Sequence, residues 1–335
     1  MHRCAVIGSP IAHSLSPLLH RTAYTGLGIA DQFSYDAFEV TPDTLGDFIA
    51  SLGPEWVGLS VTAPNKQALL AYGSPDPIAA ALQSGNTIIF GRDKLPGSIA
   101  PGQAGRPTAV GKHDQQDYPA APINRATGRI TARASRVYNT DVTGMLAALG
   151  RIGVRSASTA VVIGNGATAR SAFWALGKLG VREAIVLARN PERAHASLDE
   201  VAQLAGISFE VQPYGQPARL PEAWVEAPTD QPGGSVSAAD SAAPKADLLI
   251  STVPVESDDE LAAALVAQSR TVFEVVYNNY PSAFDRAAQA AKVPSLDGLD
   301  LLVGQAIDQI KLMTGRDADP EPLLEVCRAE VLRRS

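Results

Sequence analysis

The sequence predicts an α/β protein of two domains, each built on a mainly parallel sheet covered by helices. Short apolar runs alternate with helical patterns along most of the chain, an order typical of parallel strands joined by helices. The chain has 335 residues, which corresponds to roughly two domains of about 150 residues each. Hydrophobic residues make up 45% and charged residues 19%, a balance that excludes a wholly disordered, collagen-like or coiled-coil chain.

The first half of the chain contains four predicted strands and two predicted helices. Ser16 and Thr41 are good N-cap residues, and each precedes a proline, which suits the first helical position. Apolar residues then recur at helical spacing until a glycine ends the pattern. The strands are predicted at 4–7, 32–38, 56–61 and 87–90, and the helices run from Ser16 to Gly26 or Gly28 and from Thr41 to Gly53.

The second half repeats this alternation and ends in two helices. Gly180 and Gly206 directly follow helical patterns and mark their C-termini. Two stretches, 91–133 and 212–245, are rich in glycine and proline, so we expect mobile surface insertions there. The strands are predicted at 159–163, 184–188, 248–252 and 271–276, and the helices at 169–179, 191–205, 299–314 and about 320–332.

Charge and cysteine usage restrict the partners and the compartment. The formal net charge is −7, and a net acidic chain is a poor candidate for nucleic acid or an anionic membrane surface. Cys4 and Cys327 form no CxxC pattern, which argues against a disulfide framework or a zinc ribbon. The apolar runs are too short for a transmembrane helix or a signal peptide. We expect a cytoplasmic monomer or homodimer with a small-molecule partner and no metal.

A glycine-rich turn joins the strand at 159–163 to the next helix. The first glycine of its GxGxxA pattern permits a tight turn, the second lets the backbone approach a pyrophosphate, and the alanine lets helix and strand pack closely. Amides at the helix start then face the anion. The turn predicts a Rossmann-like dinucleotide site, and the alternative is a turn that serves packing alone. Its residues are Gly164, Asn165, Gly166, Ala167, Thr168 and Ala169.

The residues after the following strand predict which nicotinamide cofactor binds. An NAD site usually carries Asp or Glu at this point, which binds the ribose hydroxyls. This chain carries Arg189 and Asn190, with Arg193 one helical turn later. A guanidinium pairs with the 2′-phosphate that distinguishes NADP from NAD, so NADP is the predicted cofactor. The alternative is a solvated arginine at a helix start.

Two charged residues suit acid–base chemistry. Lys66 lies just beyond the strand at 56–61, where α/β sites usually open, and Asp141 precedes a helical run. A lysine and an aspartate beside a carbonyl suit proton transfer coupled to hydride transfer, because the developing alkoxide needs a proton donor and a nearby positive charge. Taken alone, Lys66 is also compatible with a surface lysine and Asp141 with a helix N-cap.

A series of short motifs in a fixed order resembles the shikimate dehydrogenase family. The resemblance spans nearly the whole chain outside the two insertions, and motifs in the right order are far more specific than any one alone. The motifs are GSPIAHSLSP at 8–17, GLSVTAPNK at 58–66, GNT at 85–87, YNTDVTG at 138–144, the nucleotide loop at 164–169, and DGL at 297–299 with Gln305 and Gly315.

The resemblance implies an NADP-dependent dehydrogenase that acts on a CH–OH group and interconverts 3-dehydroshikimate and shikimate in aromatic amino acid biosynthesis. It implies that Lys66 and Asp141 are the catalytic pair and that Ser14 and Ser16 bind the substrate carboxylate. Ser16 has a competing interpretation, since its single side-chain oxygen cannot easily both cap a helix and bind substrate. The residues implied to complete the substrate pocket are Thr62, Asn86, Tyr277 and Gln305.

The resemblance also implies the division into domains. The substrate domain would be 1–140 with the returning C-terminal helices of 298–335, and the Rossmann-like NADP domain would be 141–297. Departures from the family pattern leave two alternatives open, a quinate/shikimate dehydrogenase with relaxed substrate choice and a catalytically silent shikimate-binding regulatory module. The departures are Ser60 for Asn, Asn65 for a large apolar residue, Gln83-Ser84-Gly85 for Gly-Ala-Val, Ala188 for Asn, Asn190 for Thr, Glu274 for Asp and the long insertion at 91–133.

Overall fold

The computed structural model describes residues 1–91, 135–225, 243–253, 258–277 and 281–334. Apart from Gly91, the predicted insertion at 91–133 lies outside these ranges, and so does 226–242 of the second predicted insertion. The chain divides into two compact units, Met1–Thr140 with Ile307–Asp319 and Asp141–Ala306 with Pro320–Ser335. The division into a substrate domain and an NADP domain stays a prediction.

The first unit is built on a mixed sheet. Its strands lie in the order β2-β1-β3-β5-β6-β4, with β1 parallel to β2 and β3, and with β5 antiparallel to β3 and β6. A 3-10 helix covers Ala68–Tyr72. The elements that the structure describes here are strands β1 (His2–Gly8), β2 (Phe33–Glu39), β3 (Trp56–Val61), β4 (Ser74–Pro75), β5 (Thr87–Ile89) and β6 (Arg136–Tyr138), and helices α1 (Ser16–Gly26), α2 (Pro42–Ser51) and α3 (Pro77–Leu82).

Strand β3 shows why the sequence folds in this way. Every residue of β3 is buried, so its apolar character is continuous rather than alternating, as expected for a strand covered on both faces. Trp56 and Leu59 of β3 belong to one apolar cluster with Leu45 of α2. Helix α2 starts as predicted, because Thr41 and Thr44 form a reciprocal capping box.

The second unit is built on a wholly parallel sheet with the strand order β12-β11-β10-β7-β8-β9. Counted along the chain, this is the 3-2-1-4-5-6 order of a doubly wound dinucleotide-binding sheet, and the predicted Rossmann-like fold is confirmed. A 3-10 helix covers Glu222–Trp224. The elements described here are strands β7 (Thr159–Ile163), β8 (Glu183–Ala188), β9 (Ser208–Pro213), β10 (Ala246–Ser251), β11 (Ser269–Glu274) and β12 (Ser295–Leu296), and helices α4 (Thr140–Arg151), α5 (Ala167–Leu179), α6 (Pro191–Ala205), α7 (Asp259–Ala267), α8 (Ala283–Ala291), α9 (Gly298–Thr314) and α10 (Pro320–Arg334).

Helix α9 contributes to both units, since the division falls between Ala306 and Ile307. Among the residues that the structure describes, no helix combines the length and the apolar composition that crossing a bilayer requires.

Two expectations from the sequence were wrong. Ser16 is the first residue of α1 rather than its N-cap, which is Leu15 and makes no side-chain capping bond. Gln212, expected to begin a mobile insertion, lies in β9 and is buried. Its side-chain oxygen accepts a bond from the Arg219 amide at 2.9 Å, and its nitrogen donates to the Arg219 carbonyl at 3.0 Å. The two bonds hold the chain that follows the strand.

A buried carboxyl group ends β11. Glu274 is 7% exposed and accepts a hydrogen bond from the Ser282 hydroxyl. Burial raises the pKa of this carboxyl to about 7, and the nearby carboxylates of Asp285 and Asp297 act in the same direction against the Ser282 bond. The folded chain therefore binds a proton at Glu274 between about pH 4.5 and pH 7 that the unfolded chain releases.

Replacing Glu274 by glutamine tests this coupling. The free energy of unfolding of the wild type should fall as the pH rises from about 4.5 to about 7, because in that range only the unfolded chain has released the proton, and it should level off above about pH 7. Glu274→Gln keeps the bond to Ser282 without a charge. We measure the free energy of unfolding in urea. The difference between the variant and the wild type should increase by on the order of 2–3 kcal/mol in favour of the variant from about pH 5 to about pH 8. The matched change at the exposed Glu325 of α10 should show no such dependence. If the free energies of unfolding of the wild type and Glu274→Gln changed with pH in the same way, Glu274 would not be the group responsible.

Candidate functional site

One edge of the first unit's sheet brings together five predicted site residues. The parallel strands β1 and β3 both end at this edge, and the antiparallel β5 begins there. Ser14 and Ser16 follow β1, Thr62 and Lys66 follow β3, and Asn86 directly precedes β5. Three segments that are distant in the sequence thus place hydroxyl, ammonium and amide groups at the same edge.

Backbone hydrogen bonds hold these segments together. The Ser9 amide donates to the carbonyl of Ala63 at 3.0 Å, which joins the segment after β1 to the segment after β3. The Gly85 amide donates to the carbonyl of Lys66 at 2.9 Å, which joins the segment after β3 to the start of β5. The backbone of Lys66 is therefore fixed beside the residue that precedes Asn86.

The segment that carries Ser14 is held by a carboxylate that the sequence did not single out. Glu39, the last residue of β2, accepts a bond from the Ser9 hydroxyl at 2.5 Å and from the Ile11 amide at 2.9 Å. The Ser14 hydroxyl in turn accepts a bond from the Ser16 amide at 3.3 Å. Ser16 does not cap α1. The sequence indicated that helix capping would compete with substrate binding for its hydroxyl, and the structure removes that conflict.

The side-chain oxygen of Asn86 is surrounded by donors. It accepts bonds from the backbone amide of Thr140 at 2.8 Å, from the Thr140 hydroxyl at 3.1 Å and from the Thr87 hydroxyl at 3.1 Å. All three residues are buried. The other polar atom of the Asn86 side chain, Nδ2, can only donate.

Behind Asn86 lies a buried network that the sequence did not predict. The Gln309 side chain donates through Nε2 to the Thr87 and Thr140 hydroxyls at 3.2 and 3.3 Å, and its oxygen accepts from the Ser60 hydroxyl at 2.8 Å. The Ser60 oxygen accepts from the Tyr35 hydroxyl at 2.7 Å. Ser60 and Gln309 are 249 positions apart, so local patterns carry no signal of their contact.

His20 completes this network on the side away from Asn86. Its ring stacks on Tyr35 with the ring centroids 3.8 Å apart, and its Nε2 lies 3.4 Å from the oxygen of Gln309. Burial lowers the pKa of His20 to about 3 although the bond to Gln309 opposes the change, and burial raises the pKa of Tyr35. Both groups are neutral at ordinary pH.

The nucleotide loop of the second unit has the geometry that its sequence predicts. Gly164 has a φ of +101°, and a Cβ atom there would lie 2.6 Å from the side chains of both Thr252 and Val253. No other residue type fits this turn without strain. Gly166 caps α5 in an extended conformation without a side-chain bond, and a Cβ atom on it would meet open space. The helix start therefore presents backbone amides beside space that a diphosphate can enter.

The predicted ribose site lies where β8 gives way to α6. Arg189, Asn190 and Arg193 are exposed there, and the Asn190 side chain caps α6 by accepting a bond from the Arg193 amide at 2.8 Å. Two exposed guanidinium groups at a helix N-terminus form an anion site. The residues present thus fit NADP, with the loop at 164–169 for the diphosphate and the arginines for the 2′-phosphate.

A side-chain bond ties these two parts of the nucleotide region together. The Ser197 hydroxyl of α6 donates to the carbonyl of Asn165 in the loop at 2.7 Å, and Arg170 of α5 donates to the Ser197 carbonyl at 2.5 Å. The loop and helix α6, which carries Arg193, are therefore held together.

The remaining predicted site residues lie on two crossing helices and one strand end of the second unit. Asp141 is the second residue of α4, and Gln305 lies on α9. The helices cross at Gly144 and Gly304, where a Cβ atom on Gly304 would lie 2.6 Å from the Gly144 carbonyl oxygen. The close crossing sets Asp141 one turn from the point where α4 meets Gln305. Tyr277 follows the end of β11.

The predicted site residues are thus distributed over both units. The first unit carries Ser14, Ser16, Thr62, Lys66 and Asn86, while the second carries Asp141, Tyr277, Gln305 and every predicted nucleotide-binding residue. Sequence reasoning missed Glu39 and Gln309, whose roles arise only from contacts made in the fold.

Comparisons with known proteins identify the family to which this chain is similar. Residues 6–88 match the family model described as the shikimate dehydrogenase substrate binding domain. The chain is 27% identical to the shikimate dehydrogenase (NADP(+)) of Methanothermobacter thermautotrophicus, with 99% of this chain and 98% of that protein covered. Among solved structures, a shikimate 5-dehydrogenase from Mycobacterium fortuitum is 30% identical with a TM-score of 0.68, and 96% of each chain is covered.

A solved structure with ligands is also similar. The shikimate 5-dehydrogenase of Thermus thermophilus, in complex with NADP(H) and shikimate, is 25% identical with a TM-score of 0.68. The match covers 98% of this chain and 99% of that one.

The contribution of Glu39 to the site can be measured by hydrogen exchange. Glu39→Ala removes both bonds to the segment at 9–15, and the Ile11 amide should then exchange about 10-fold faster. Glu39→Gln keeps an acceptor for that amide and should stay within about 3-fold of the wild type. Amides of β3 serve as internal references in both variants. Unchanged protection of Ile11 in Glu39→Ala would show that the carboxylate does not hold the segment.

Proposed function

The chain belongs to the shikimate dehydrogenase family, and from this premise we propose that it catalyses the reversible NADP-dependent reduction of 3-dehydroshikimate to shikimate. The observation that carries the proposal is the meeting of Ser14, Thr62, Lys66 and Asn86 at one sheet edge. These groups suit a substrate with a carboxylate and ring hydroxyls. The same chain carries a parallel sheet and a glycine loop that fit NADP.

The proposed reaction needs hydride and proton transfer to one carbonyl group. NADPH, when bound, supplies the hydride that reduces the carbonyl carbon and is itself oxidised to NADP⁺. We assign to Lys66, with Asp141, the proton that the resulting oxygen takes up. The ammonium of Lys66 also provides positive charge beside an oxygen that becomes negative as the reaction proceeds, which lowers the barrier. The reverse reaction returns the proton to the same pair.

Substrate binding is assigned to the other polar residues of the predicted site. Ser14 and Ser16 would bind the carboxylate through their hydroxyl groups. Asn86 would donate from Nδ2 to a ring oxygen, since its own oxygen is already engaged by Thr140 and Thr87. The remaining assigned contacts are Thr62, Tyr277 and Gln305.

For the NADP site, the assignment rests on charge. Arg189 and Arg193 would hold the 2′-phosphate and Asn190 would order the start of α6 between them. The residues of the loop assigned to the diphosphate are Gly164, Asn165, Gly166, Ala167, Thr168 and Ala169. We further propose that the protein acts in the cytoplasm, as a monomer or homodimer, in the pathway that forms chorismate.

A spectrophotometric assay of NADP reduction with shikimate tests the proposed function, and Lys66→Ala tests its main catalytic assignment. Loss of the ammonium should lower kcat by about 10²- to 10⁴-fold, because general acid–base catalysis contributes that much. Shikimate binding, measured by calorimetry, should change by less than about 5-fold. Lys245→Ala, at an exposed lysine of the second unit, is the control and should retain activity.

Each other outcome of the assay has a defined meaning. A wild-type protein that binds shikimate without reducing NADP would be a silent binding module, and the proposed function would be wrong. Equal turnover of quinate and shikimate would support the relaxed dehydrogenase instead. Full activity of Lys66→Ala alongside an active wild type would remove Lys66 from the mechanism only.

Arg189→Ser tests the choice of cofactor. Loss of a charge-assisted bond should raise the KM for NADP by about 10- to 100-fold, while the KM for NAD stays within about 3-fold because NAD has no 2′-phosphate. Arg155→Ser removes an exposed arginine elsewhere in the second unit and should leave both constants unchanged. A similar rise of KM for both cofactors would mean that Arg189 does not read the 2′-phosphate.

A further inference from the structure

A serine of helix α6 holds one peptide group of the nucleotide loop. The Ser197 hydroxyl donates to the carbonyl of Asn165 at 2.7 Å, and both residues belong to the second unit. In a planar trans peptide group the carbonyl and the amide that follows it point in opposite directions. Because the Asn165 carbonyl is turned towards α6, the amide of Gly166 is turned away from α6.

The amide of Gly166 is one of the donors that the predicted diphosphate site would use. Gly166 is the N-cap of α5, and its carbonyl accepts the first hydrogen bond of the helix, from the Arg170 amide at 3.1 Å. The amides of 166–169 therefore take no part in the hydrogen bonds within the helix. Each of these amides that is turned towards an anion at the helix N-terminus strengthens its binding.

Glycine at position 166 allows this peptide group to turn over. A flip would change the φ of Gly166 from −83° to roughly +100°, a region that glycine enters at little cost. The Asn165 carbonyl would then point where the Gly166 amide had pointed, and its partly negative oxygen would repel a diphosphate. The Ser197 hydroxyl opposes the flip, because it bonds to the carbonyl in one orientation of the peptide group only.

Two neighbouring contacts hold the helices together without touching this peptide group. The C-terminal ends of α5 and α6 pack closely, since a Cβ atom on Gly177 would lie 2.7 Å from the Ala205 carbonyl oxygen. Arg170 of α5 donates to the backbone carbonyl of Ser197 at 2.5 Å. Both contacts fix α6 beside α5, and neither depends on the Ser197 hydroxyl. The hydroxyl therefore acts on the loop and not on the packing of the helices.

We infer that Ser197 is a positioning residue for the cofactor, whose hydroxyl keeps the peptide group between Asn165 and Gly166 in the orientation that presents an amide to the diphosphate. This inference rests on the proposed function, which assigns the loop to the diphosphate of NADP. It deepens that function by separating two parts of cofactor binding. Ser197 acts on the diphosphate that NADP and NAD share, whereas Arg189 is assigned to the 2′-phosphate that only NADP carries.

Ser197→Ala tests the inference because it removes the hydroxyl and keeps the backbone bond to Arg170. Alanine suits a helix interior, so the variant should fold. Part of the population would then hold the loop peptide group reversed, which lowers the apparent affinity. The Kd for NADP, measured by calorimetry on the full chain, should rise by about 3- to 10-fold, as loss of one hydrogen bond implies. The Kd for NAD should rise by the same factor, because NAD has the same diphosphate.

Adenosine 2′-phosphate separates positioning of the loop from a general structural effect. This probe carries the 2′-phosphate and lacks the diphosphate, so its Kd should change by less than about 2-fold in Ser197→Ala. A loss of affinity for the probe as large as the loss for NADP would show that the whole nucleotide region is disturbed, and that result would overturn the inference.

Two further variants serve as controls. Ser197→Thr keeps a hydroxyl and should bind NADP within about 2-fold of the wild type; weakening as large as in Ser197→Ala would show that the hydroxyl is not the group responsible. Ser208→Ala is the matched control, because the Ser208 hydroxyl also donates to a backbone carbonyl, that of Arg182 at 3.1 Å, on a strand away from the loop. It should leave the Kd of every nucleotide unchanged.

Failure of the inference can be distinguished from failure of the proposed function. If the wild type binds neither NADP nor NAD, the proposed function fails and the inference fails with it. If the wild type binds NADP and Ser197→Ala has an unchanged Kd, the inference alone fails. A rise of the Kd for NADP without a rise for NAD would assign Ser197 to the 2′-phosphate and would also overturn the inference.

Discussion

Burial of polar groups at one sheet edge is the constraint on which the site of the first unit depends. Asn86, Thr87, Thr140 and Gln309 are each no more than 5% exposed, so water cannot replace a missing partner. An unmet donor or acceptor in such a place costs more than a typical bond contributes. Each buried donor and acceptor of the network therefore needs a partner within the protein. This requirement fixes which atom donates in each hydrogen bond. A side chain at the end of such a network is held in one orientation before any ligand arrives, which lowers the cost of binding.

The parts of the fold that were predictable from the sequence carry their information locally. β3 and β7 have the predicted bounds because each is a short apolar run between turn residues, and α6 because Asn190-Pro191 starts it and Gly206 ends it. β9 was missed since it is an edge strand with few buried residues. Ser16 followed by proline is a strong N-cap pattern, yet the helix takes Leu15 as its cap.

The candidate site was predictable only where a motif marks it. The glycine of the nucleotide loop follows from local geometry, because Gly164 needs a positive φ and lies against Thr252. Glu39 and Gln309 act through contacts with residues 28 and 249 positions away. Their chemistry, a carboxylate at a strand end and an amide on a helix, is typical of solvated surface positions, so no pattern of spacing distinguishes them.

The long-range contacts also bear on the departures from the family pattern. Ser60 stands where the family usually has asparagine, and taken alone the change removes an amide from the strand beside Thr62. The structure shows an amide at this place nonetheless, brought by Gln309 from α9 and bonded directly to the Ser60 hydroxyl at 2.8 Å. The Ser60 hydroxyl accepts a bond from Tyr35 and donates its one proton to Gln309. The serine is thus part of a completed network rather than a lost function, which weakens the case for a silent binding module that this departure had motivated.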